Sequence, residues 1–199
     1  MSLRKLRVVL MRLSFVLLVL LAMFTAPSWS KDSTLSFTTE LAGYLFLLAG
    51  LGIRMWSTLY IGGRKSQDLV TEGPYSICRN PLYMGTFLLA FGAAFCLENP
   101  AMLLATFLLV IPAHVLVARM EERHLESMFP EQYGQYQRQV PAFWPRLRNY
   151  HSPETVEVSV RAIRRMAIDT LGFLLIPAAE DVLDVLHNHG VFPILWRFP

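Results

Sequence analysis

Four apolar stretches, residues 8–26, 41–61, 82–97 and 101–120, leave this chain few ways to fold. A helix needs about 20 apolar residues to cross a bilayer, and in lipid only a helix satisfies its own backbone hydrogen bonds. The third stretch is at the short end of that range. Composition agrees: 54% of the 199 residues are hydrophobic and 17% charged, where a soluble domain carries about 25%. We therefore expect an all-α integral membrane protein with four transmembrane helices, plus a C-terminal amphipathic or fifth membrane helix.

Lysine and arginine placement orients this layout. With the N-terminus in the cytoplasm, Arg4, Lys5, Arg7, Arg12, Arg64, Lys65 and Arg79 fall inside, as does every arginine from Arg119 to Arg165. Only Lys31 lies in an outer loop, the asymmetry of a positive-inside topology. The first stretch also reads as a cleavable signal peptide, but Arg12 within it and Trp29 near its end favour a retained span. Gly43, Gly50 and Gly52 give the second stretch a small-residue face for close helix contact. Glu98-Asn99-Pro100 is a turn, so the third and fourth stretches should form an antiparallel hairpin.

Beyond a polar region at 121–152, Pro153-Glu154 predicts the start of a helix reaching about Leu186. Ile163, Ala167, Leu171, Leu174 and Leu175 recur at helical spacing, Pro177 should kink the helix, and Glu180, Asp181 and Asp184 read as a solvated face. Three acids in five positions favour an interfacial helix over a fifth span. His151, His187 and His189 read as exposed, and His114, beside Pro112, as a hydrogen-bonded packing residue. The expected divisions are 1–40 (first helix and outer loop), 41–148 (membrane core) and 149–199 (helical extension).

Some functions are excluded. The net charge is +3, but the basic residues sit at the ends of apolar stretches rather than in a patch interleaved with exposed aromatics, so no nucleic-acid partner is expected. With residues 82–97 helical, Cys78 and Cys96 would stand about 25 Å apart at opposite membrane faces, too far for a disulfide. No Cys/His cluster has metal-ligand spacing, so no metal is expected.

Residues 73–85, Gly-Pro-Tyr-Ser-Ile-Cys-Arg-Asn-Pro-Leu-Tyr-Met-Gly, carry more chemistry than a membrane connector needs. Gly73-Pro74 and Asn80-Pro81 are turn signals, and Pro81 suits the first turn of a helix. Arg79 and Asn80 are thus presented at a helix mouth, with Tyr83 and Gly85 just inside. If the third and fourth stretches form a hairpin, Glu121-Glu122-Arg123-His124-Leu125 meets this loop at the same membrane face, with Arg54 at that level. Adjacent glutamates on a helix point about 100° apart, so one of them faces the pocket. Glu122 is preferred, because Leu125 and Phe129 follow on its side. Taken singly, Tyr75 and Tyr83 read as interfacial aromatics, Arg79 as an anchor and the two glutamates as a solvated helix end. Their joint order is what points to a site.

The sequence Arg79-Asn80-Pro81-Leu82-Tyr83-Met84-Gly85, followed by Glu121-Glu122-x-x-Leu125, Phe129, Tyr133, Tyr136 and Val140-Pro141-Ala142-Phe143-Trp144-Pro145, resembles the signature of membrane methyltransferases. These comprise the isoprenylcysteine carboxyl methyltransferases and phospholipid N-methyltransferases, and the resemblance covers about residues 54–146. It implies S-adenosylmethionine as cofactor, in a cavity roofed by cytoplasmic loops, with a lipid or lipophilic methyl acceptor entering from the bilayer. Carried over, Asn80, Tyr83 and Gly85 line the donor pocket, Glu121 or Glu122 holds the donor's ammonium, and Tyr133 and Tyr136 close the roof. Asn80 stands where the isoprenylcysteine enzymes have His, as in the phospholipid enzymes, and Ala142 stands where Arg is common.

The expectation is an S-adenosylmethionine-dependent methyltransferase of the bacterial inner membrane. Arg54 and Arg79 are expected to orient a carboxylate or phosphate, and His124 is the available base for an amine acceptor. A nicotinamide-dependent membrane reductase and a non-catalytic membrane subunit are the rival expectations.

Overall fold

The computed structural model describes residues 3–25, 28, 33–63 and 68–195. The apolar stretches form helices: α1 (Leu3–Phe24), α2 (Thr34–Ile61) and α4 (Pro81–Cys96), with a single turn, α3 (Pro74–Ile77), before the last of these. α5 (Pro100–Ala105), a π turn (Thr106–Val110) and α6 (Ile111–Met128) run on as one 29-residue helix, Pro100–Met128. There follow α7 (Pro130–Gln139), a 3-10 turn (Leu147–Asn149), α8 (Val160–Leu174) and α9 (Ile176–Asn188). α2 and the Pro100–Met128 helix are long and apolar enough to cross a membrane, whereas Arg12–Phe24 and Pro81–Cys96 are apolar but shorter. Leu45, Leu48, Leu104, Phe107 and Leu108 on the two long helices all turn outward, a surface that lipid accepts and water does not. The π turn has a local cause. Pro112 lacks the N–H that would answer Leu108, and the Ile111 N–H reaches back to Thr106 instead.

The chain forms two compact units. The first comprises residues 1–49, 87–115 and 171–199. Here α2 meets α4 at glycines: a Cβ on Gly92 would lie 2.8 Å from the Gly43 carbonyl oxygen, and one on Gly43 would lie 2.5 Å from Cys96 Sγ. Leu47 and Leu89 are fully buried beside them. The expected hairpin turn is formed, with Asn99 Oδ1 capping the Ala101 N–H at 2.9 Å and the Ser36 hydroxyl donating to Glu98 at 2.6 Å. Phe87 and His114 face each other across it at 6.0 Å. His114 is buried, its Nδ1 2.8 Å from the Val110 carbonyl oxygen.

The second unit comprises residues 50–86 and 116–170. α2 and α4 again approach at glycines, since a Cβ on Gly85 would lie 2.6 Å from Arg54 Cγ and 3.0 Å from the Gly50 carbonyl oxygen. Gly52 has nothing within 4 Å and takes no part in the small-residue face expected of it.

The C-terminal extension departs most from expectation. Residues 153–159 are not helical. Thr155, Val156 and Val158 are β-branched, and Val156 packs instead with Tyr60 and Tyr75. Pro177 does not kink one helix but opens a second, with Leu175 as N-cap and the proline in the first turn, where its missing N–H costs nothing. Glu180 is not solvated: it is buried and lines a small cavity whose other walls include Thr25, Asn99, Asp184 and His187 among apolar side chains such as Leu97 and Met102. His187 is half-buried, with Nε2 2.9 Å from the Met23 carbonyl oxygen, whereas His151 and His189 are exposed. Both cysteines are free. Trp29, Lys31, Arg64 and Lys65 lie outside the described residues, as do the side chains of Arg4, Lys5 and Arg7.

Candidate functional site

The loop before α4 is shaped by Gly73. Its φ of +57° is one that side chains rarely adopt, and the Tyr60 ring stands where a Cβ would be. Pro74 then opens the single turn α3, closed by the Ser76 hydroxyl donating to the Gly73 carbonyl at 2.6 Å. The chain extends through Cys78 and enters α4 at Pro81. Over this extended stretch it pairs with residues 141–146: Arg79 N–H donates to Pro141 at 2.9 Å, Asn80 N–H to Ala142 at 3.2 Å and Arg146 N–H to Ile77 at 3.0 Å. The substitution of Ala at 142 does not touch this pairing, because the backbone makes it.

Arg79 and Asn80 meet Glu122 of α6. The Asn80 amide donates to Glu122 Oε1 at 2.7 Å and to the Ala142 carbonyl at 3.1 Å. Arg79 Nη2 donates to Glu122 Oε2 at 3.3 Å, and its Nε lies 3.2 Å from Oε1 as an ion-pair contact. The two side chains are only 10% and 16% exposed. The two sequence clusters, 42 and 43 residues apart along the chain, are thus joined by a carboxylate in a sparsely hydrated place.

α7 covers this pair. Tyr133 is 1% exposed and Tyr136 8%, edge to face at 6.0 Å, with Leu69, Leu125, Phe129 and Val140 around them. The Tyr136 hydroxyl donates to the Tyr75 carbonyl at 2.7 Å and so ties α7 to the loop. The hydroxyls of Tyr75 and Tyr133 are buried without a hydrogen-bond partner, which is rare for a buried polar atom and calls for an explanation. Burial holds all three phenols well above their ordinary range. Tyr136 and the Glu121 carboxylate push Tyr75 further, and Glu122 pushes Tyr133. All three remain neutral donors at physiological pH. Burial also pushes the Cys78 thiol up to about 11, and its Sγ lies 3.3 Å from both Met84 Sδ and the Ala142 carbonyl oxygen.

Tyr83 is buried, and its charge when ionised would oppose that of Tyr75. Gly85 is buried against Arg54, where it lets α4 approach α2. Arg54 Nη1 donates to the Thr86 hydroxyl at 2.7 Å. Glu121 is half-buried, and its charge acts on the Tyr75 phenol. His124 is exposed. It lies two residues beyond Glu122, about 200° around the helix, and is not brought to the cluster.

Sequence reasoning did not single out the residues that clasp the loop from behind. His151 N–H donates to the Ser76 hydroxyl at 3.2 Å, Gly73 N–H donates to the His151 carbonyl at 2.8 Å, and Tyr60 and Ser152 share a hydrogen bond of 2.8 Å. The only sequence signal was the Gly-Pro-Tyr-Ser run itself, since the partners stand 75 to 92 residues away.

The phospholipid methyltransferase family matches residues 38–132. The nickel-cobalt-cadmium resistance protein NccN of Alcaligenes xylosoxydans xylosoxydans is 38% identical over 187 residues, which is 92% of this chain and 86% of that one. The cobalt-zinc-cadmium resistance protein CzcN of Cupriavidus metallidurans is 42% identical over 147 residues, covering 72% of this chain and 66% of CzcN. The protein-S-isoprenylcysteine O-methyltransferase of Tribolium castaneum is 38% identical over 96 residues, 43% of this chain and 31% of that enzyme. No solved structure gives a significant match. The matched region carries the loop, α4 and the Glu122 helix, and a relative aligned over nearly the whole chain extends it, so this chain belongs to the phospholipid methyltransferase-like family of membrane proteins.

Proposed function

We propose that this protein transfers a methyl group from S-adenosylmethionine to a lipid or small lipophilic acceptor. The reaction is placed at the cytoplasmic face of a bacterial inner membrane, with four spans and the loops around α7 as the roof. The observation that carries this reading is the Asn80–Glu122–Arg79 cluster together with the buried Tyr75 and Tyr133 hydroxyls, which lack hydrogen-bond partners.

The residues fit the donor. When bound, S-adenosylmethionine supplies a methyl group already activated by its sulfonium, so the protein mainly positions and desolvates the reacting pair. A carboxylate offers about four lone-pair sites, and Glu122 uses two for hydrogen bonds from Asn80 and Arg79 Nη2, with Arg79 Nε beside it as an ion-pair contact. It retains capacity for one donor of an ammonium group, with Glu121 as the second carboxylate. Tyr75 and Tyr133 are neutral and buried, which suits them to donate hydrogen bonds and to present uncharged ring faces to a sulfonium. Asn80 and Tyr83 complete the lining. Gly85 contributes by admitting Arg54, which is suited to orient an acceptor's phosphate or carboxylate. The exposure of His124 makes it a poor base for an amine acceptor, so a carboxylate or thiolate acceptor, or an amine deprotonated by solvent, suits this site better.

The names of NccN and CzcN add a physiological reading: methylation of a membrane component would serve tolerance of divalent transition metals. Calorimetric titration with S-adenosylmethionine and S-adenosylhomocysteine tests the core proposal. Micromolar binding of both, lost in Tyr75→Phe or Glu122→Gln, followed by incorporation of radiolabelled methyl into a lipid extract, is the expected result. A folded protein that binds neither but binds a nicotinamide dinucleotide would replace it with a reductase.

A further inference from the structure

The 143–148 segment presents an unusual surface. Trp144 is 86% exposed, the highest value of any large apolar side chain described, and Leu147 is 75% exposed. Pro145, Arg146 and Arg148 beside them are exposed as well. This is not a frayed end. Arg146 N–H donates to Ile77 at 3.0 Å, Asn149 and Tyr150 N–H groups close the 3-10 turn at 3.0 Å each, and the Asn149 amide donates to Gln139 at 2.9 Å. Tyr150 rests on Trp56 at 6.0 Å. A pinned backbone holds an indole and a leucine outward, flanked by guanidinium groups.

Water offers nothing to such a surface, whereas a bilayer interface does. Indole is enriched at headgroup depth, where its apolar ring and polar N–H are both satisfied. Arginine forks bind phosphodiesters in two-point fashion. Between residues 138 and 165 of this unit, six arginines are exposed (138, 146, 148, 161, 164 and 165) against two glutamates (154 and 157). That excess is complementary to an anionic leaflet.

We propose that Trp144 and Leu147 insert into the headgroup layer while Arg146 and Arg148 bind the phosphates of anionic lipids. The anchor is separate from the donor-binding cluster but is hydrogen-bonded to the same loop, at Ile77, and so fixes the depth of Arg79 and Asn80 relative to the lipid surface.

The test uses the full chain in nanodiscs of phosphatidylcholine, with or without phosphatidylglycerol. Part of the acyl chains is brominated near the headgroup, and Trp144's emission is read as the difference between wild type and W144F. In discs containing phosphatidylglycerol, the Trp144 emission should be blue-shifted and at least halved by the brominated lipid. Most of that quenching should be lost in R146Q/R148Q and in discs of phosphatidylcholine alone. A water-like, unquenched emission in both discs would overturn the proposal and leave the patch to a soluble partner. Quenching equally strong in phosphatidylcholine and in R146Q/R148Q would also overturn it, because the arginines would then recognise nothing. None of these readouts depends on donor binding or methyl transfer.

Discussion

Replacing Glu122 by Gln keeps the shape of the side chain and removes the charge that Asn80 and Arg79 share. The Asn80 bond, 2.7 Å long, falls from a charge-assisted to a neutral one, a loss of about 1 kcal/mol. The Arg79 guanidinium, 10% exposed, is left beside an amide. Breaking a fully buried pair costs about 3–5 kcal/mol, and the residual water access here reduces that to about 2. Glu122→Gln should therefore destabilise the fold by about 3 kcal/mol, a fall of roughly 6–12 °C in thermal midpoint for a chain of this size. Arg79→Gln alone should cost about 2 kcal/mol, and the double variant about 3 rather than 5, because the second change removes an interaction already lost. Thermal unfolding in detergent, followed by circular dichroism on all four proteins, reads this coupling. Additivity of the single changes to within about 0.5 kcal/mol would refute the shared carboxylate. Donor affinity should fall at least tenfold in Glu122→Gln.

Tyr75→Phe removes a buried hydroxyl that has no partner, so thermal stability should hold or rise by up to about 1–3 kcal/mol while S-adenosylmethionine binding weakens; a large loss of stability would mean that the hydroxyl is bonded. Gly85→Ala drives a methyl into Arg54 and the Gly50 carbonyl and should cost about 1–3 kcal/mol. Gly52→Ala, with nothing nearby, should be neutral or stabilise by up to about 1 kcal/mol, and the pair can be compared by thermal midpoint. Cys78 is a buried acid whose folded value is raised from 9.0 to about 11. The native state therefore holds its proton where the unfolded chain has lost it, and this contribution, complete below about pH 9, disappears as pH rises to about 11. The buried tyrosines act in the same direction at higher pH. A pH series of midpoints for wild type and Cys78→Ala should diverge in that window and coincide in shape below it. His124→Gln should leave methyl transfer unchanged, since the ring is exposed; a fall in kcat with altered pH dependence would restore it as a base.

Much of this protein is legible without coordinates because lipid admits so few solutions. A run of apolar residues as long as 41–61 must be a helix, and Asn99-Pro100 must turn. The meeting of Arg79 and Asn80 with Glu122 followed from the hairpin alone, since two helices joined by a tight turn return to the same level. Periodicity failed where local and distant demands competed. Residues 153–159 carry no helix because Val156 is drawn to Tyr60 and Tyr75, and Glu180 is buried because α9 packs beside Asn99. What only the tertiary structure decided is which atoms are satisfied. The Tyr136 bond to the Tyr75 carbonyl, the partnerless phenols, the strap through His151 and the outward Trp144 all depend on contacts 61 to 78 residues apart or on a backbone pinned from elsewhere. Hydropathy is a property of each residue and survives in the sequence. Hydrogen-bond satisfaction belongs to pairs, and is set only when the chain has folded.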